Sequence, residues 1–296
     1  MNMIATPLVV VLMMTFYASF TNAFSMSTFA PHKNPLKIKK QSFVTLHGHP
    51  GSAAGGGGHP AGPSAVTMET PTGFIDTELR GAAMRLHTKS QAPKEGKVED
   101  EKPPKEPHIT THMDYLHFLV DSQSVYQAFE DVVNMPELHP ELEPFVNTKL
   151  ERTQGLEQDI TFMCNEYKLE RPQVGEMGKS YAEQIRKIGN KGKEAIPEFI
   201  CHYYNYYFAH TAGGRMIGKQ MAALLLDKKT LEFYKWDGDL NEIKGKVRQS
   251  IEDLANTWTR EQKDMCVEAT MDAFRGGGGI NAYLSGGRGG HGGHGH

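Results

Sequence analysis

Two stretches of the 296-residue chain hold side chains fit for ligand chemistry. The first is Phe199-Ile-Cys-His-Tyr-Tyr-Asn-Tyr-Tyr-Phe-Ala-His-Thr-Ala-Gly-Gly-Arg-Met-Ile-Gly218, aromatic in its first half and small-residue in its second. At about 3.6 residues per turn, His210, Gly214 and Gly218 share one stripe of a helix, with Ala209 and Gly213 on the stripe beside it. A glycine inside a helix costs about 1 kcal/mol relative to alanine, so some other gain must recover that loss. A bare backbone face lets a flat ligand lie close and lets the helix flex as the ligand comes and goes. Small residues also serve tight helix–helix packing, and this stretch alone does not separate the two readings. A phosphate-loop reading of Gly213-Gly-Arg-Met-Ile-Gly-Lys-Gln220 is set aside. Gln220 stands where magnesium needs a Ser or Thr, and no buried strand leads into the glycines.

The second stretch lies nearer the start. Gly73 to Ser90 reads as a helix whose buried stripe is Ile75, Leu79, Ala82, Ala83 and Leu86. His87 stands at the border of that stripe. Arg80 precedes it by seven residues, so on a helix it points nearly the same way, about 10 Å along the axis. A histidine with a guanidinium at that offset suits a metalloporphyrin, imidazole on the metal and cation at the carboxylate edge. A lone border histidine is also a common surface or core residue. Farther on, Lys244 and Arg248 share a helix face at i and i+4, a spacing equally usual for surface charge.

These residues must be positioned by helices, because strand signals are scarce: Val and Ile seldom alternate with polar residues. Asp114–Asn134 carries Tyr115, Phe118, Leu119, Val125, Phe129 and Val132 at helical spacing. A helix over Thr148–Tyr167 buries Leu156, Ile160 and Met163, and another resumes over Ser180–Ile188 after the break at Pro172–Gly178. Gln220–Leu226 prolongs the central helix, and Leu240–Ala255 makes a further one. Trp258 opens the last, expected to end before Gly276. The expected fold is all-α, one multi-helix globular domain over 71–275. Gln91–Pro107, rich in Lys, Glu and Pro, reads as a solvated loop.

A net charge of −3 with 9% aromatic residues suits a soluble globular protein and argues against a nucleic-acid partner. Cys164, Cys201 and Cys266 show neither zinc nor disulfide spacing and fit a reducing compartment. Residues 1–23 read as a signal peptide: Leu8–Phe16 is too short an apolar run to span a bilayer, and Thr21-Asn-Ala23 offers a cleavage site. Residues 24–70 carry Lys33, Lys37, Lys39 and Lys40, no acid before Glu69, and a Gly/Pro-rich end. They read as a transit peptide and disordered linker, so the mature protein is not expected to insert stably in a membrane. Residues 276–296, Gly-rich with His291, His294 and His296, are expected to be a disordered tail without a role.

Several motifs resemble one family. Glu78-Leu-Arg-Gly-Ala-Ala-Met-Arg-Leu-His-Thr88 is similar to the proximal helix of heme oxygenases, and Phe199–Met221 resembles their distal helix. Tyr115-Leu-His-Phe-Leu-Val-Asp-Ser122 and Leu231-Glu-Phe-Tyr-Lys-Trp-Asp-Gly238 look like the plant and algal plastid branch. The resemblance spans Gly73–Phe274. It implies heme b, substrate and cofactor together, between the two helices, with His87 the axial iron ligand. It puts O2 on the distal side at Ala209, His210, Gly213, Gly214 and Gly218, and Tyr204, Lys244 and Arg248 at the propionates. The implied outcome is ring opening at the alpha meso carbon to biliverdin, carbon monoxide and ferrous iron. Electrons would come from reduced ferredoxin, as nothing here resembles a flavin or nicotinamide fingerprint. A downstream bilin reductase would be a further partner.

In animal members an aspartate holds the distal waters. His210 stands at that position here and Ala209 replaces a glycine, which leaves the proton-relay residue open. Phe24 at the presumed cut resembles the two-part leaders of algae with secondary plastids, implying delivery to the plastid stroma. Arg186, Lys187, Lys191 and Lys193 offer either a docking patch for an acidic electron carrier or a solvated face. The rival reading is a non-catalytic heme-binding regulator or carrier, which would keep His87, Arg80, Lys244 and Arg248 without needing the glycine stripe. A plain helical interaction module would take up no heme.

Overall fold

The computed structural model describes residues 73–89, 95–98 and 108–286. The expected leader segments 1–23 and 24–70, most of the 91–107 loop and the histidines of the tail lie outside these residues. Among the described residues the structure is helical, with one isolated parallel bridge between Thr88 and Lys97. A π-type turn at Ile75–Leu79 leads into α1 (Arg80–Leu86), followed by α2 (His112–Val133), α3 (Thr153–Tyr167), α4 (Glu176–Gly189) and α5 (Ile196–Ala209). A second π-type turn, His210–Gly214, joins α5 to α6 (Arg215–Leu225). Then come α7 (Leu240–Asn256), α8 (Arg260–Glu268), α9 (Thr270–Ile280) and a 3-10 turn over Asn281–Ser285. No helix among the described residues is long and apolar enough to cross a membrane.

The central support is α2. A capping box sets its start: Thr111 Oγ1 accepts from the Asp114 amide, and the Thr111 amide donates to Asp114 Oδ2 at 2.8 Å. Tyr115, Leu119, Tyr126, Phe129 and Val132 then recur at helical spacing, all buried. The helix packs along α3 and α4. Phe129 gathers Tyr181, Phe199, Tyr203, Tyr206 and Tyr207, with ring centroids 5.5 to 6.4 Å away. Each large apolar side chain so buried contributes about 1.5–3 kcal/mol, so this cluster binds α2, α4 and α5 together.

Several boundaries depart from the sequence reading: α4 opens at Glu176, inside the break expected at Pro172–Gly178, and the last helix, expected from Trp258, is two, α8 and α9. The first helix stops at Leu86 rather than Ser90. His87 is extended (φ −72°, ψ 157°) and its carbonyl accepts from the Lys97 amide at 2.9 Å, which draws the chain out of the helix. The third helix opens at Thr153, not Thr148, because Asn147 and Lys149 hold φ of 54° and 71°.

The largest correction is at the C-terminal end. The chain expected to be a disordered tail from Gly276 continues as α9 through four glycines to Ile280, and then as the 3-10 turn to Ser285. Four glycines forfeit roughly 3–4 kcal/mol of helix propensity. Tertiary contacts offset it. Ile280, Tyr283 and Leu284 are buried, Tyr283 Oη donates to Asp121 Oδ2 (3.2 Å), and Thr110 Oγ1 donates to the Leu284 carbonyl (3.0 Å). A Cβ on Gly276 would run into the Tyr181 ring, whereas one on Gly278 would meet nothing within 4 Å. Gly278→Ala should therefore raise the unfolding free energy by about 0.5–1 kcal/mol. Gly276→Ala should lower it by about 1–3 kcal/mol. Urea denaturation of the heme-free protein measures both, and the reverse order would rule out α9 seated on Tyr181.

Candidate functional site

A cavity of about 630 Å³ is walled by α1, α5, the His210–Gly214 turn, Phe233 and α9, and its lining is mostly apolar. That lies within the roughly 300–1,000 Å³ typical of cofactor and ligand sites.

The end of α1 delivers His87 to this wall. Its Nδ1 donates to the Ala83 carbonyl at 2.8 Å, which places the ring's lone pair on Nε2. The ring stands edge-on to Phe274, centroids 5.3 Å apart. Burial pushes the imidazole below its ordinary pKa, opposed in part by the bond to Ala83. Orientation, tautomer and neutral charge thus all suit Nε2 as a metal ligand. His87 is a buried, packed residue, not the border histidine of the sequence reading.

The π-type turn delivers His210. Its Nε2 donates to the Phe233 carbonyl at 2.8 Å, and its ring stacks on Phe233 with centroids 4.0 Å apart and planes at 16°. Burial pushes its pKa down to about 3, with the Phe233 bond opposing. At neutral pH, therefore, His210 can accept a hydrogen bond at Nδ1 but holds no acidic proton. A Cβ on Gly214 would sit 2.7 Å from that Nδ1, so the absent side chain makes room for the imidazole. Ala209, Gly213 and Gly214 line the cavity, but Gly218 does not. A Cβ on Gly218 would lie 2.7 Å from the Tyr234 ring, so this glycine seats an aromatic side chain and offers no face to a ligand. Residues 213–220 are helical throughout, which disposes of the phosphate-loop reading.

The expected basic group is not brought to the lining. Tyr204 is there, its phenol raised above the ordinary pKa by burial while the Arg248 and Arg80 cations oppose. Arg80, Lys244 and Arg248 do not line the cavity. Arg80 reaches Glu95 at 3.4 Å, and Arg248 pairs with Asp76 at the start of the first helix. Lys244 is half-buried, its pKa lowered first by burial and then by Arg215. The alignment of Arg80 with His87 assumed one continuous helix, and the stop at Leu86 removes it.

Sequence reasoning missed Phe233, Phe274, Gly277, Gly278 and Asn281, all of which line the cavity. Residues 274, 277, 278 and 281 recur at helical spacing, a signal hidden by reading the glycine run as a linker. Among the described residues no three His, Cys, Asp or Glu side chains gather for a bare metal ion. One ligating histidine in an apolar cavity fits a metal that brings its other ligands with it, as iron in heme does.

Burial also makes the fold sensitive to acid. His202, like His210, is pushed down, to about 4, by burial. A histidine whose folded pKa lies below the unfolded value of about 6.5 contributes fully above that pH and loses the contribution as pH falls toward the folded value. Asp159 is raised to about 6, chiefly by burial, and acts the other way, taking up its proton first in the folded state. Between pH 7.5 and 5 the two histidines outweigh it, for a net loss of about 3 kcal/mol, or a melting temperature lower by about 10 °C. Thermal melts of the heme-free protein test this; an unchanged melting temperature would mean that the two imidazoles are solvated.

Fold and cavity define a class: an all-α protein presenting the Nε2 lone pair of a neutral histidine, His87, to a pocket fit for a metallated ring. Residues 81–276 match the family described as "Heme oxygenase". The chain is 42% identical to "Heme oxygenase 1, chloroplastic" of Oryza sativa subsp. japonica over 220 residues, 74% of each chain. It is 43% identical to "Heme oxygenase 1, chloroplastic" of Arabidopsis thaliana over 211 residues, 70% of this chain and 72% of that one. The crystal structure of heme oxygenase-1 from the cyanobacterium Synechocystis sp. in complex with heme shares the fold. Its TM-score is 0.50 at 22% identity, covering 72% of this chain and 84% of that one. The chain belongs to the heme oxygenase family.

Proposed function

We propose that the chain opens heme to biliverdin, carbon monoxide and ferrous iron, cutting the alpha meso carbon with electrons from reduced ferredoxin, in the plastid stroma. The observation that carries this reading is one cavity holding both the neutral His87 and the bare Gly213–Gly214 turn beside His210. Bound heme supplies the iron that activates O2 and the ring that is opened.

The chain's own residues divide the remaining work. His87 would hold the iron through Nε2, its Nδ1 fixed by Ala83. Tyr204 would meet a propionate, with the Arg248 and Arg80 cations that act on its phenol behind it and Arg248 held by Asp76. Ala209, Gly213 and Gly214 leave space on the distal side, and the apolar walls exclude bulk water. His210 anchors a water by accepting at Nδ1, so protons reach the distal side along waters and not from the imidazole itself.

The chloroplastic names of the rice and Arabidopsis relatives, with the acid-poor leader, support the plastid location. Ferredoxin is the donor that this location favours. Within the basic patch, Arg186 pairs with Asp131 (3.1 Å) and Lys191 with Glu198 (2.8 Å), which makes Lys187 and Lys193 the cations to test for docking. The deciding experiment mixes the protein with hemin, ferredoxin, its reductase and NADPH. The Soret band should fall as a green product forms that chromatography identifies as biliverdin. Bound hemin with a stable Soret band would instead make the protein a carrier.

A further inference from the structure

We propose that Asp159 and Arg152, neither of which lines the cavity, are positioning residues for His210. Together they hold the 232–236 segment so that the Phe233 carbonyl takes the Nε2 proton of His210 and leaves the lone pair on Nδ1, beside Gly214. The proposal deepens, and rests on, the reading of His210 as the distal anchor.

Both charges are buried, and both reach the same short segment. Asp159, on α3, uses its two oxygens on two consecutive amides: Oδ1 accepts from Glu232 N at 2.8 Å and Oδ2 from Phe233 N at 2.7 Å. Arg152, immediately before α3, takes the carbonyl side. Its Nη1 donates to Phe233 O at 3.4 Å and to Lys235 O, while Nε and Nη2 donate back to Leu150 O (3.0 Å) and Lys149 O (3.2 Å). The guanidinium also lies over the Trp236 ring, 4.9 Å from its centroid. An anion thus grips the N–H edge of the segment and a cation grips its C=O edge.

That arrangement restrains the peptide planes around Phe233, and with them the direction of the carbonyl that receives His210 Nε2. The phenyl ring that stacks on the imidazole belongs to the same residue. An imidazole without a fixed acceptor samples both tautomers, and in one of them Nδ1 carries a proton and accepts nothing. Burying a carboxylate and a guanidinium is costly unless their bonds are complete, and here four of those six bonds go to residues 232–235, which carry the carbonyl that sets one histidine's tautomer.

The test reads that tautomer directly, by imidazole nitrogen NMR on the heme-free full chain, with the His210 signal assigned by its loss in His210→Ala. The wild-type protein should show Nε2–H alone. Asp159→Asn, whose amide turns a donor toward one of the two main-chain N–H groups, should give a mixture, and so should Arg152→Lys, which keeps the charge but loses the fork. In the hemin-loaded variants kcat should fall about tenfold or more with hemin affinity unchanged. Wild-type tautomer in folded Asp159→Asn and Arg152→Lys would overturn the proposal, and Arg152→Lys decides alone if Asp159→Asn does not fold. If His210→Ala makes biliverdin at the wild-type rate while Asp159→Asn mixes the tautomers, the clamp stands and the distal role of His210 falls.

Discussion

Replacing His87 with Ala should abolish biliverdin formation, with turnover down at least about a thousandfold, equivalent to about 4 kcal/mol of lost transition-state stabilisation. The substitution removes the nitrogen whose lone pair the Ala83 carbonyl has oriented, and no second histidine replaces it: His210 commits Nε2 to Phe233. The fold should survive. Among the interactions it gives up, the hydrogen bond to Ala83 and the edge-on contact with Phe274 are worth about 1–2 kcal/mol against a domain stability of about 5–15 kcal/mol. Two further readouts separate a lost ligand from a damaged fold. The spectrum of bound hemin should change with the variant, and free imidazole, which fits the space vacated by the side chain, should restore part of the wild-type spectrum. A purified His87→Ala protein turning over hemin at the wild-type rate would remove the axial assignment.

Substitution of Gly214 should come next in size, with a graded outcome. Even a methyl group falls 2.7 Å from His210 Nδ1, too close for two non-bonded atoms, so the imidazole must yield. Gly214→Ala should cut kcat about tenfold to a hundredfold through misplacement of that ring, with hemin affinity little changed. Gly214→Leu adds an isobutyl group at a residue on the cavity wall, and should weaken hemin binding about a hundredfold, or about 3 kcal/mol. Hemin titration followed in the Soret band measures the second effect, and unaltered affinity in Gly214→Leu would mean that the ligand lies elsewhere. Gly218→Ala, by contrast, meets Tyr234 and should register in stability before it registers in turnover.

The two glycines show how far the one-dimensional reading reached. On a helical wheel Gly214 and Gly218 are equivalent, four residues apart on the same stripe as His210. In three dimensions one frees an imidazole at the cavity and the other receives the ring of Tyr234, sixteen residues farther along the chain. His87, Tyr204, Ala209, His210 and Gly213 were likewise legible as candidates, and all of them line the cavity. The basic residues were legible as charges but not as partners. Arg248 finds Asp76 from 172 positions away, a pairing that no local periodicity encodes.

What the sequence by itself determined was the helical character of the chain and the residue types on each helix face, because hydrophobic period and capping act over a few residues. The helix read over Asp114–Asn134 and found over His112–Val133, with Tyr115, Leu119 and Phe129 buried at helical spacing, is of that kind. Only the tertiary structure decided where α1 stops, since Lys97 supplies the bond that turns His87 out of the helix. It also decided that four glycines stay helical, since Asp121 and Thr110 hold the segment beyond them from 162 and 174 positions away. Local propensity opposes both outcomes, and burial together with long-range hydrogen bonds outweighs it.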